Sequence, residues 1–356
     1  MTTLSQATAT APLNVALVGY GYVGKTFHAP LISTTPGLVL HTVVSSDPAK
    51  VAADHPEAKV VASLDEALAD AEIDLVVIAT PNELHAPQGQ AALAAGKHLV
   101  VDKPFTVTLD EARALVASAE TADRLLSVFH NRRWDADFLT LKSLIADGAL
   151  GEVTQYESHF DRFRPTVRDR WRERAGPGAG AWFDLGPHLL DQALQLFGQP
   201  LAVSADIGVQ REGAGADDYF HVVLRYEALR VILHGSLLTA AADLRLAVHG
   251  TKGSFIKQGL DAQEDALKRG LTPADEGFGL DPRPGTLTRA DGDVLTTEVV
   301  AGARGDYAAY YAGVRDAILT GAANPVPARE ALQVMELLDL AARSAVERRE
   351  LSVETA

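Results

Sequence analysis

The chain has no cysteine among its 356 residues, which excludes disulfide bonds, thiolate catalysis and metal sites with cysteine ligands. It also lacks any stretch of about 18 uncharged apolar residues, so we expect no membrane-spanning helix. Basic residues are outnumbered, because 32 Lys and Arg face 47 Asp and Glu and give a net charge of −15. Binding to phosphate-rich surfaces needs a basic excess, so neither nucleic acid nor an anionic membrane is an expected partner.

The N-terminus lacks the basic start and the apolar run of a signal peptide. Residues 1–12 therefore predict a disordered lead segment, and we expect a cytoplasmic protein. A chain of 356 residues is longer than one ordinary core supports, which predicts two domains. Hydrophobic residues make up 47% of the sequence and supply enough apolar surface for both cores.

A glycine-rich loop follows the first apolar run. LNVALV at 13–18 has the length of a strand, and GYGYVG at 19–24 leads from it into a helix-compatible segment. The pattern G-x-G-x-x-G in this context is typical of dinucleotide binding. In such loops the first glycine allows a tight turn, the second lets the backbone approach a pyrophosphate, and the third lets helix and strand pack closely. The expected cofactor contacts in the loop are Gly19, Tyr20, Gly21, Tyr22, Val23 and Gly24.

Further strand-like and helical segments alternate up to about residue 130. The apolar runs lie at 39–44, 73–80, 97–101 and 124–129, and the helical segments near 65–70, 84–95 and 109–121. This alternation predicts an α/β fold with a parallel, doubly wound sheet. We therefore predict a Rossmann domain for dinucleotide binding at 13–130.

The residues after the second strand bear on the choice of cofactor. A site for NAD usually carries an acid here, which binds the 2′-hydroxyl of the ribose. Ser45 occupies that position, Ser46 follows it and Lys50 lies in the next turn. Two hydroxyls and a cation suit a 2′-phosphate, which favours NADP. Asp47 lies two residues beyond Ser45 and keeps NAD open as the alternative.

Ligands of open α/β sheets bind at the carboxyl ends of the strands. The segments ATPNELHAP at 79–87 and VDKPF at 101–105 follow two such strands. A lysine between a buried strand and a proline is less mobile than an ordinary surface-loop lysine, which favours a functional role. The residues expected to line the cofactor here are Thr80, Pro81, Asn82, His85 and Lys103.

The second half has a different pattern. Long strand-like segments lie at 152–163, 217–226, 229–238 and 244–250, and helical segments around 305–320 and 328–347. They predict an α+β domain at 131–356 with a large, mainly antiparallel open sheet. The stretch 258–290 is charged and rich in Gly and Pro, and predicts a long excursion rather than a strand. The linker is expected near 128–136.

The segment AWFDLGPHLLDQ at 181–192 places Asp184, His188 and Asp191 on one face of a helix. Histidine suits proton transfer because its ordinary pKa of about 6.5 lies near working pH. A carboxylate one turn away can fix the tautomer of the imidazole and stabilise its cation. The alternative is structural: Asp184 as an N-cap with Pro187 in the first turn, a buried core histidine and a solvated acid.

The segments GYGYVG, ATPNELHAP, DKP and DLGPHLLDQ, with this layout, resemble the Gfo/Idh/MocA oxidoreductases from about residue 13 to 350. NRRWDADFLTLK, RPTVRDRWRERAG and GSFIKQGLDAQED are similar to a narrower group, the NADP-dependent scyllo-inositol dehydrogenases. One position departs from the family pattern, because Asp102 stands where a glutamate usually precedes the lysine. A shorter acid could change the hydrogen bonding behind that lysine.

The resemblance implies a hydride transfer between a nicotinamide and a polyol or sugar, with NADP as the cofactor and NAD as the alternative. The implied catalytic residues are Lys103, Asp184 and His188. His188 would accept the hydroxyl proton, and Lys103 would donate to the reacting oxygen as its negative charge develops. The resemblance further implies a homodimer or homotetramer, with the domain at 131–356 serving substrate binding and oligomerisation. A different reading of the same fold is a non-catalytic sensor that only binds the cofactor.

Candidate substrate contacts are Arg132, Asp161 and Asp191, whose alternatives are a surface cation, a strand-edge acid and a surface acid. In related enzymes the residues at Trp171 and Arg172 approach the cofactor, and we expect the same here. The histidines at strand positions, such as His221, His234 and His249, are interpreted as structural. The spacing of histidines and acids predicts no metal site, and the implied chemistry needs none.

Overall fold

The computed structural model describes most of the chain. The described ranges are 11–169, 173–241 and 243–354. Most of the predicted lead segment, and the predicted cofactor contacts Trp171 and Arg172, lie outside the described residues. No helix in these ranges is long and apolar enough to cross a bilayer.

The first half contains a six-stranded sheet in the part of the chain that the structure describes. Its strands are β1 Leu13–Val18, β2 Leu38–Val44, β3 Lys59–Val61, β4 Leu75–Ile78, β5 His98–Val101 and β6 Leu126–Val128. The helices between them are α1 Ala29–Thr34, α2 Pro48–Asp54, α3 Leu64–Leu68, α4 His85–Ala94 and α5 Leu109–Ala122. The order is β3-β2-β1-β4-β5-β6 and all pairs are parallel, which confirms the predicted doubly wound sheet.

The central strands are apolar along their whole length because both faces of the sheet are covered. All four residues of β4 are buried, and so are the last three of β5. The strand order reverses at β1, which pairs with β2 on one side and β4 on the other. Ligand crevices of open α/β sheets lie at this reversal, beyond the carboxyl ends of the strands.

The second half contains a nine-stranded sheet among the described residues. Its strands are β7 Val153–His159, β8 Ala202–Gly208, β9 Tyr219–Arg225, β10 Arg230–Ser236, β11 Leu244–Gly250, β12 Gly253–Gln258, β13 Gly285–Asp291, β14 Val294–Val300 and β15 Leu351–Ser352. The helices are α6 Ala136–Ala146, α7 Ala181–Phe197, α8 Gln263–Lys268, α9 Ala308–Thr320 and α10 Ala328–Glu347.

The order of the second sheet is β14-β13-β12-β11-β7-β10-β9-β8-β15. The pair β7 and β10 is parallel, and the other neighbours are antiparallel. This confirms the predicted mainly antiparallel sheet. The predicted excursion at 258–290 is wrong in part, because it contains α8 and ends in β13. Gly285 begins β13, and a side chain at this position would collide with the ring of Phe255. The glycine therefore permits close pairing of β13 with β12 rather than marking a loop.

Helix α7 is capped from another part of the chain. The Asp217 carbonyl accepts the N–H of Ala181 at 2.8 Å, and its carboxylate accepts the N–H of Trp182 at 2.6 Å. Burial raises the pKa of Asp217 to about 6. Asp184 is therefore not the N-cap, and Pro187 lies inside the helix rather than in its first turn. The structural alternative for Asp184 is wrong because the helix begins three residues earlier.

Buried polar contacts hold the middle of α7. Asp191 accepts three hydrogen bonds from the guanidinium of Arg133, the shortest at 2.6 Å. Gln192 donates to the Arg132 carbonyl at 2.8 Å and accepts from Arg245 at 2.7 Å. These contacts fix the rotation of α7 about its own axis and therefore decide which of its residues face the first half.

Candidate active site

An open cleft of about 1330 Å³ separates the carboxyl edge of the parallel sheet from α7. Residues from both halves line it, among them Tyr22, Lys103, Arg132, Arg162, Asp184 and His188. This volume is the free space between the lining side chains and includes open solvent. The cleft is therefore an opening to which both halves of the chain contribute side chains.

Two glycines of the loop are closely packed against backbone, and the third has open space beside it. A Cβ on Gly19 would lie 2.7 Å from the Ala79 carbonyl oxygen, and one on Gly24 would collide with the Gly19 carbonyl oxygen. No described atom lies within 4 Å of a Cβ built on Gly21. The space beside Gly21 suits a phosphate that contacts the backbone. The loop therefore fits a dinucleotide at the position that the sequence predicts.

The turn after β2 holds its acid in a capping role. Asp47 is the N-cap of α2, and its carboxylate accepts the N–H of Lys50 at 3.1 Å. The Ser45 hydroxyl accepts the N–H of Asp47 at 3.1 Å, and Ser46 is exposed. The ammonium of Lys50 donates to the Tyr20 carbonyl at 2.9 Å, which places a cation beside the glycine loop.

The two loops after β4 and β5 are joined by His85. Its ring nitrogens lie 2.9 Å from the Pro104 carbonyl oxygen and 3.0 Å from that of Thr80. Since both ring nitrogens contact backbone carbonyls, His85 holds these two loops together at the carboxyl edge of the sheet. Asn82 is buried and donates to a backbone carbonyl at 3.4 Å, while Pro81 is exposed at the sheet edge.

The two tyrosines of the glycine loop point to different surroundings. Tyr20 is buried and its hydroxyl donates to Asp54 at 2.9 Å, and burial raises its pKa. Tyr22 is 56% exposed and donates to Glu264 of α8 at 3.2 Å. Together with Val23 it lines the cleft. Tyr22 therefore links the loop to the second half, whereas Tyr20 supports the loop from within the first.

Lys103 and Asp184 form an ion pair across the cleft. The Lys103 ammonium donates to the Asp184 carboxylate and to the Asp184 backbone carbonyl, both at 2.9 Å. An ammonium has three N–H donors, so one remains for a ligand. The structure therefore brings these two predicted catalytic residues together and holds the ammonium in one position.

The acid before the lysine has a partner of its own. Asp102 is buried, and its Oδ1 lies 3.7 Å from Nε2 of His28. Nδ1 of His28 lies 2.6 Å from the Tyr311 hydroxyl. Burial raises the pKa of Asp102, but the contact with His28 and the nearby Lys103 and His85 together outweigh burial and lower it. The shorter acid thus belongs to a buried Asp102–His28–Tyr311 chain beneath the lysine.

His188 faces the cleft as a neutral imidazole. The side chain is 5% exposed, and its ring stacks on Phe160 with centroids 6.3 Å apart. Burial, and then the positive charges of Lys103 and Arg132, hold its pKa well below the ordinary value. Nδ1 has no hydrogen-bond partner among the described residues. The expected bond from a carboxylate to this nitrogen is therefore wrong for Asp184, whose carboxylate binds Lys103 instead.

Two predicted substrate contacts do not reach the cleft. Side chains alternate along a strand and just beyond it, so Phe160 and Arg162 line the cleft while Asp161 points to the other face. Asp161 accepts the N–H of Ser236 at 3.0 Å. Asp191 is bound to a guanidinium and lines a smaller, separate cavity. These geometries correct both assignments.

Arg132 lines the cleft as expected, but its guanidinium is bound to acidic side chains of the protein. Its guanidinium donates to Glu264 at 2.8 Å and to Asp135 at 3.3 Å, and it lies 4.9 Å from the centroid of the Phe160 ring. The sequence interpretation missed Arg162, whose guanidinium also lies 4.9 Å from that centroid. No described residue accepts a hydrogen bond from the Arg162 side chain. The alternation of side chains along FDRF could have indicated it.

Comparisons with known proteins agree with this layout. The model of an oxidoreductase family's NAD-binding Rossmann fold matches residues 13–130, and the model of that family's C-terminal alpha/beta domain matches residues 142–354. The solved structure of a Yersinia pestis protein described as an oxidoreductase superposes with a TM-score of 0.94 at 54% identity. That match covers 97% of this chain and 98% of the other.

Two relatives bear on function. The chain is 56% identical to the uncharacterized oxidoreductase YdgJ of Escherichia coli, covering 94% of this chain and 97% of the relative. It is 41% identical to scyllo-inositol 2-dehydrogenase (NADP(+)) IolW of Bacillus subtilis, covering 96% of each.

Alanine at Gly21 and at Gly24 should separate cofactor binding from folding. Gly24→Ala forces a collision with the Gly19 carbonyl, and we expect it to lower the free energy of unfolding by about 1–3 kcal/mol. Gly21→Ala has free space in the structure, and should keep stability while weakening binding of the dinucleotide at least tenfold. Urea unfolding and cofactor titration of both variants check this. Unchanged cofactor affinity in Gly21→Ala would contradict the role assigned to the open space beside Gly21.

Proposed function

Because the chain belongs to the Gfo/Idh/MocA oxidoreductase family, we propose that it transfers a hydride between NADP and a cyclic polyol. The reacting group is a secondary alcohol or the corresponding ketone, and scyllo-inositol with its keto form is the first candidate. The observation that carries this proposal is the meeting of Lys103, Asp184 and His188 at one cleft.

The residues of the cleft can perform the proton part of such a reaction. When bound, the nicotinamide supplies the hydride chemistry. In the direction of oxidation, the neutral imidazole of His188 takes the proton of the hydroxyl group as the hydride leaves the carbon that carries this group. The free N–H of Lys103 donates to the oxygen while its negative charge develops. Asp184 orients that ammonium and stabilises its charge.

Arg162 supports a substrate with several polar groups. Its guanidinium is stacked on Phe160, and no residue in the described ranges accepts a hydrogen bond from it, so its donors can bind a ligand in the cleft. Hydroxyls of a polyol can accept these hydrogen bonds, and the similarity to an NADP-dependent scyllo-inositol dehydrogenase favours that class. A guanidinium also binds carboxylates well, so sugar acids belong among the compounds tested.

The other candidates are turnover of a different sugar or keto-sugar and a sensor that binds the cofactor without chemistry. Recognition among cyclic polyols depends on the direction of each hydroxyl. An enzyme for a different sugar or keto-sugar would therefore differ from the proposed one only in the shape of the cleft. A sensor has no need for an ammonium fixed at 2.9 Å beside a neutral histidine. The geometry therefore favours an enzyme.

A substrate screen tests the proposed activity. Purified enzyme is mixed with NADP or NAD and with inositols, aldoses, sugar acids and 2-hydroxy acids, and formation of the reduced cofactor is followed by absorbance. We expect kcat/KM for scyllo-inositol, or for its keto form in the reverse direction, to exceed that for 2-hydroxy acids at least tenfold. No turnover of any inositol would overturn the substrate class, and no turnover of any compound would favour the sensor.

The proposed preference for NADP rests on the turn after β2, where Ser45 and Ser46 supply hydroxyls, Lys50 lies beside the glycine loop and Asp47 is used for capping. Ser45→Asp should reverse the ratio of kcat/KM for the two cofactors, because a carboxylate repels the 2′-phosphate. Ser63→Asp keeps an N-cap oxygen on α3 and serves as the matched control. A wild-type preference for NAD of tenfold, about 1.4 kcal/mol, would contradict this assignment.

Loss of the imidazole tests the catalytic role of His188. His188→Ala should lower kcat by about 10² to 10⁴ while cofactor binding is retained, and adding Lys103→Ala should cost less than the product of the two single effects. His41→Ala, on β2, is the control. Normal turnover of a less heat-stable His188→Ala enzyme would show that the residue is only structural.

The pH dependence of the wild-type enzyme checks the same assignment. Since the pKa of His188 is lowered well below 6.5, the base stays neutral at pH 7 and is lost only as the pH falls through that lowered pKa. We expect the acid limb of kcat/KM for oxidation to lie below pH 6.5. Asp217, with a pKa of about 6, also lines the cleft. An acid limb that disappears in Asp217→Asn would therefore report the titration of Asp217, the cap of α7, and not that of His188.

A further inference from the structure

A histidine–carboxylate cluster lies on the face of the nine-stranded sheet that points away from α7. His159 ends β7 and is directly beside His234 of the parallel strand β10. Ser158 and Leu233, which precede them in sequence, are buried on the opposite face of the sheet. Asp161 lies two residues beyond His159 and on the same face. We refer to His159, Asp161 and His234 as the outer cluster.

The three side chains of the outer cluster converge. Oδ2 of Asp161 lies 3.2 Å from Nδ1 of His159, and Oδ1 lies 3.5 Å from Nε2 of His234. One ligand atom from each residue lies within 4.8 Å of the other two. A tetrahedral ion with bonds of about 2.0–2.1 Å separates neighbouring ligand atoms by about 3.3 Å. Two of the contacts already have that spacing.

We propose that the outer cluster binds a divalent transition-metal ion of the zinc type. Two imidazoles and one carboxylate are ligands that such ions favour, whereas calcium and magnesium prefer a cage of oxygens. This proposal reverses our sequence-based expectation that the chain has no metal site. The sequence could not indicate it, because 75 positions separate the two histidines and only the pairing of β7 with β10 brings them together.

The surroundings of the outer cluster support an ion. His159 presents Nδ1 to Asp161, and its other ring nitrogen, Nε2, lies 3.5 Å from Oε2 of Glu157. A carboxylate near the second nitrogen is typical of a histidine that binds a metal ion. The backbone N–H of Ser236 holds the Asp161 carboxylate in place. Nδ1 of His234, the nitrogen that does not face Asp161, lies 3.4 Å from Nδ1 of His221. A water molecule can complete four-coordination of the ion.

The ion would have a structural role rather than a catalytic one. The outer cluster does not contribute to the cleft, which is lined from the other face by Phe160 and Arg162. An ion held by His159 and His234 would instead cross-link β7 and β10, the parallel pair within the second sheet. Binding to the folded state alone raises the free energy of unfolding by mass action.

Metal titration of the full chain, freed of metal with a chelator, tests the proposal. Zn²⁺ is added and followed by calorimetry and by thermal unfolding, with Mg²⁺ as the comparison ion. We expect one Zn²⁺ per chain, a higher Tm with Zn²⁺ and no such rise with Mg²⁺. His234→Gln should weaken Zn²⁺ binding at least tenfold, whereas turnover should stay within about twofold because the cleft is untouched.

Two further variants keep the result interpretable. Asp161→Asn is nearly isosteric, can still accept the N–H of Ser236, and should also weaken Zn²⁺ binding at least tenfold. His249→Gln lies on the same face of the sheet, where it contacts Ser254 at 2.8 Å, and should bind Zn²⁺ like the wild type. Absence of binding, or equal weakening in His249→Gln, would overturn the proposal and indicate adventitious binding to surface histidines.

Discussion

The contact between Lys103 and Asp184 is the interaction on which the site depends. Its two 2.9 Å hydrogen bonds tie the loop after β5 to the first turn of α7 and thereby join the two halves of the chain. A partly buried ammonium loses hydration when it is removed from water, so it needs a charged partner in the protein. Here that partner also fixes the direction of the remaining N–H. The same pair therefore stabilises the contact between the halves and aims a donor into the cleft.

Helix α7 can carry this pair because its orientation is fixed along its length. Asp217 caps its first N–H groups, and the buried ion pair of Asp191 with Arg133 holds its middle. A buried carboxylate without its guanidinium would be costly, so α7 cannot rotate without a large loss of free energy. His188, between these anchors, is consequently held against Phe160. The burial that lowers the pKa of His188 is thus a consequence of the packing that positions this side chain.

The end of β7 separates two kinds of chemistry by side-chain alternation. Phe160 and Arg162 project into the cleft, whereas His159 and Asp161 project to the outer face, where His234 joins them. A shift of one residue in the pairing of β7 would exchange these sets. The strand is paired on both sides, with β10 and β11, which prevents such a shift. One short segment therefore supplies part of the cleft wall on one face and the outer cluster on the other.

Local pattern in the sequence determined the doubly wound sheet, the glycine loop, the antiparallel character of the second sheet, and helix α7 with its row of Asp184, His188 and Asp191. Each of these depends on residues that are close in sequence, where steric rules and hydrophobic periodicity act directly. Only the tertiary structure decided the partner of each side chain. Asp184 binds a lysine 81 positions away, Asp191 a guanidinium 58 positions away, and the charges and cavities that select such partners exist only once distant segments have packed.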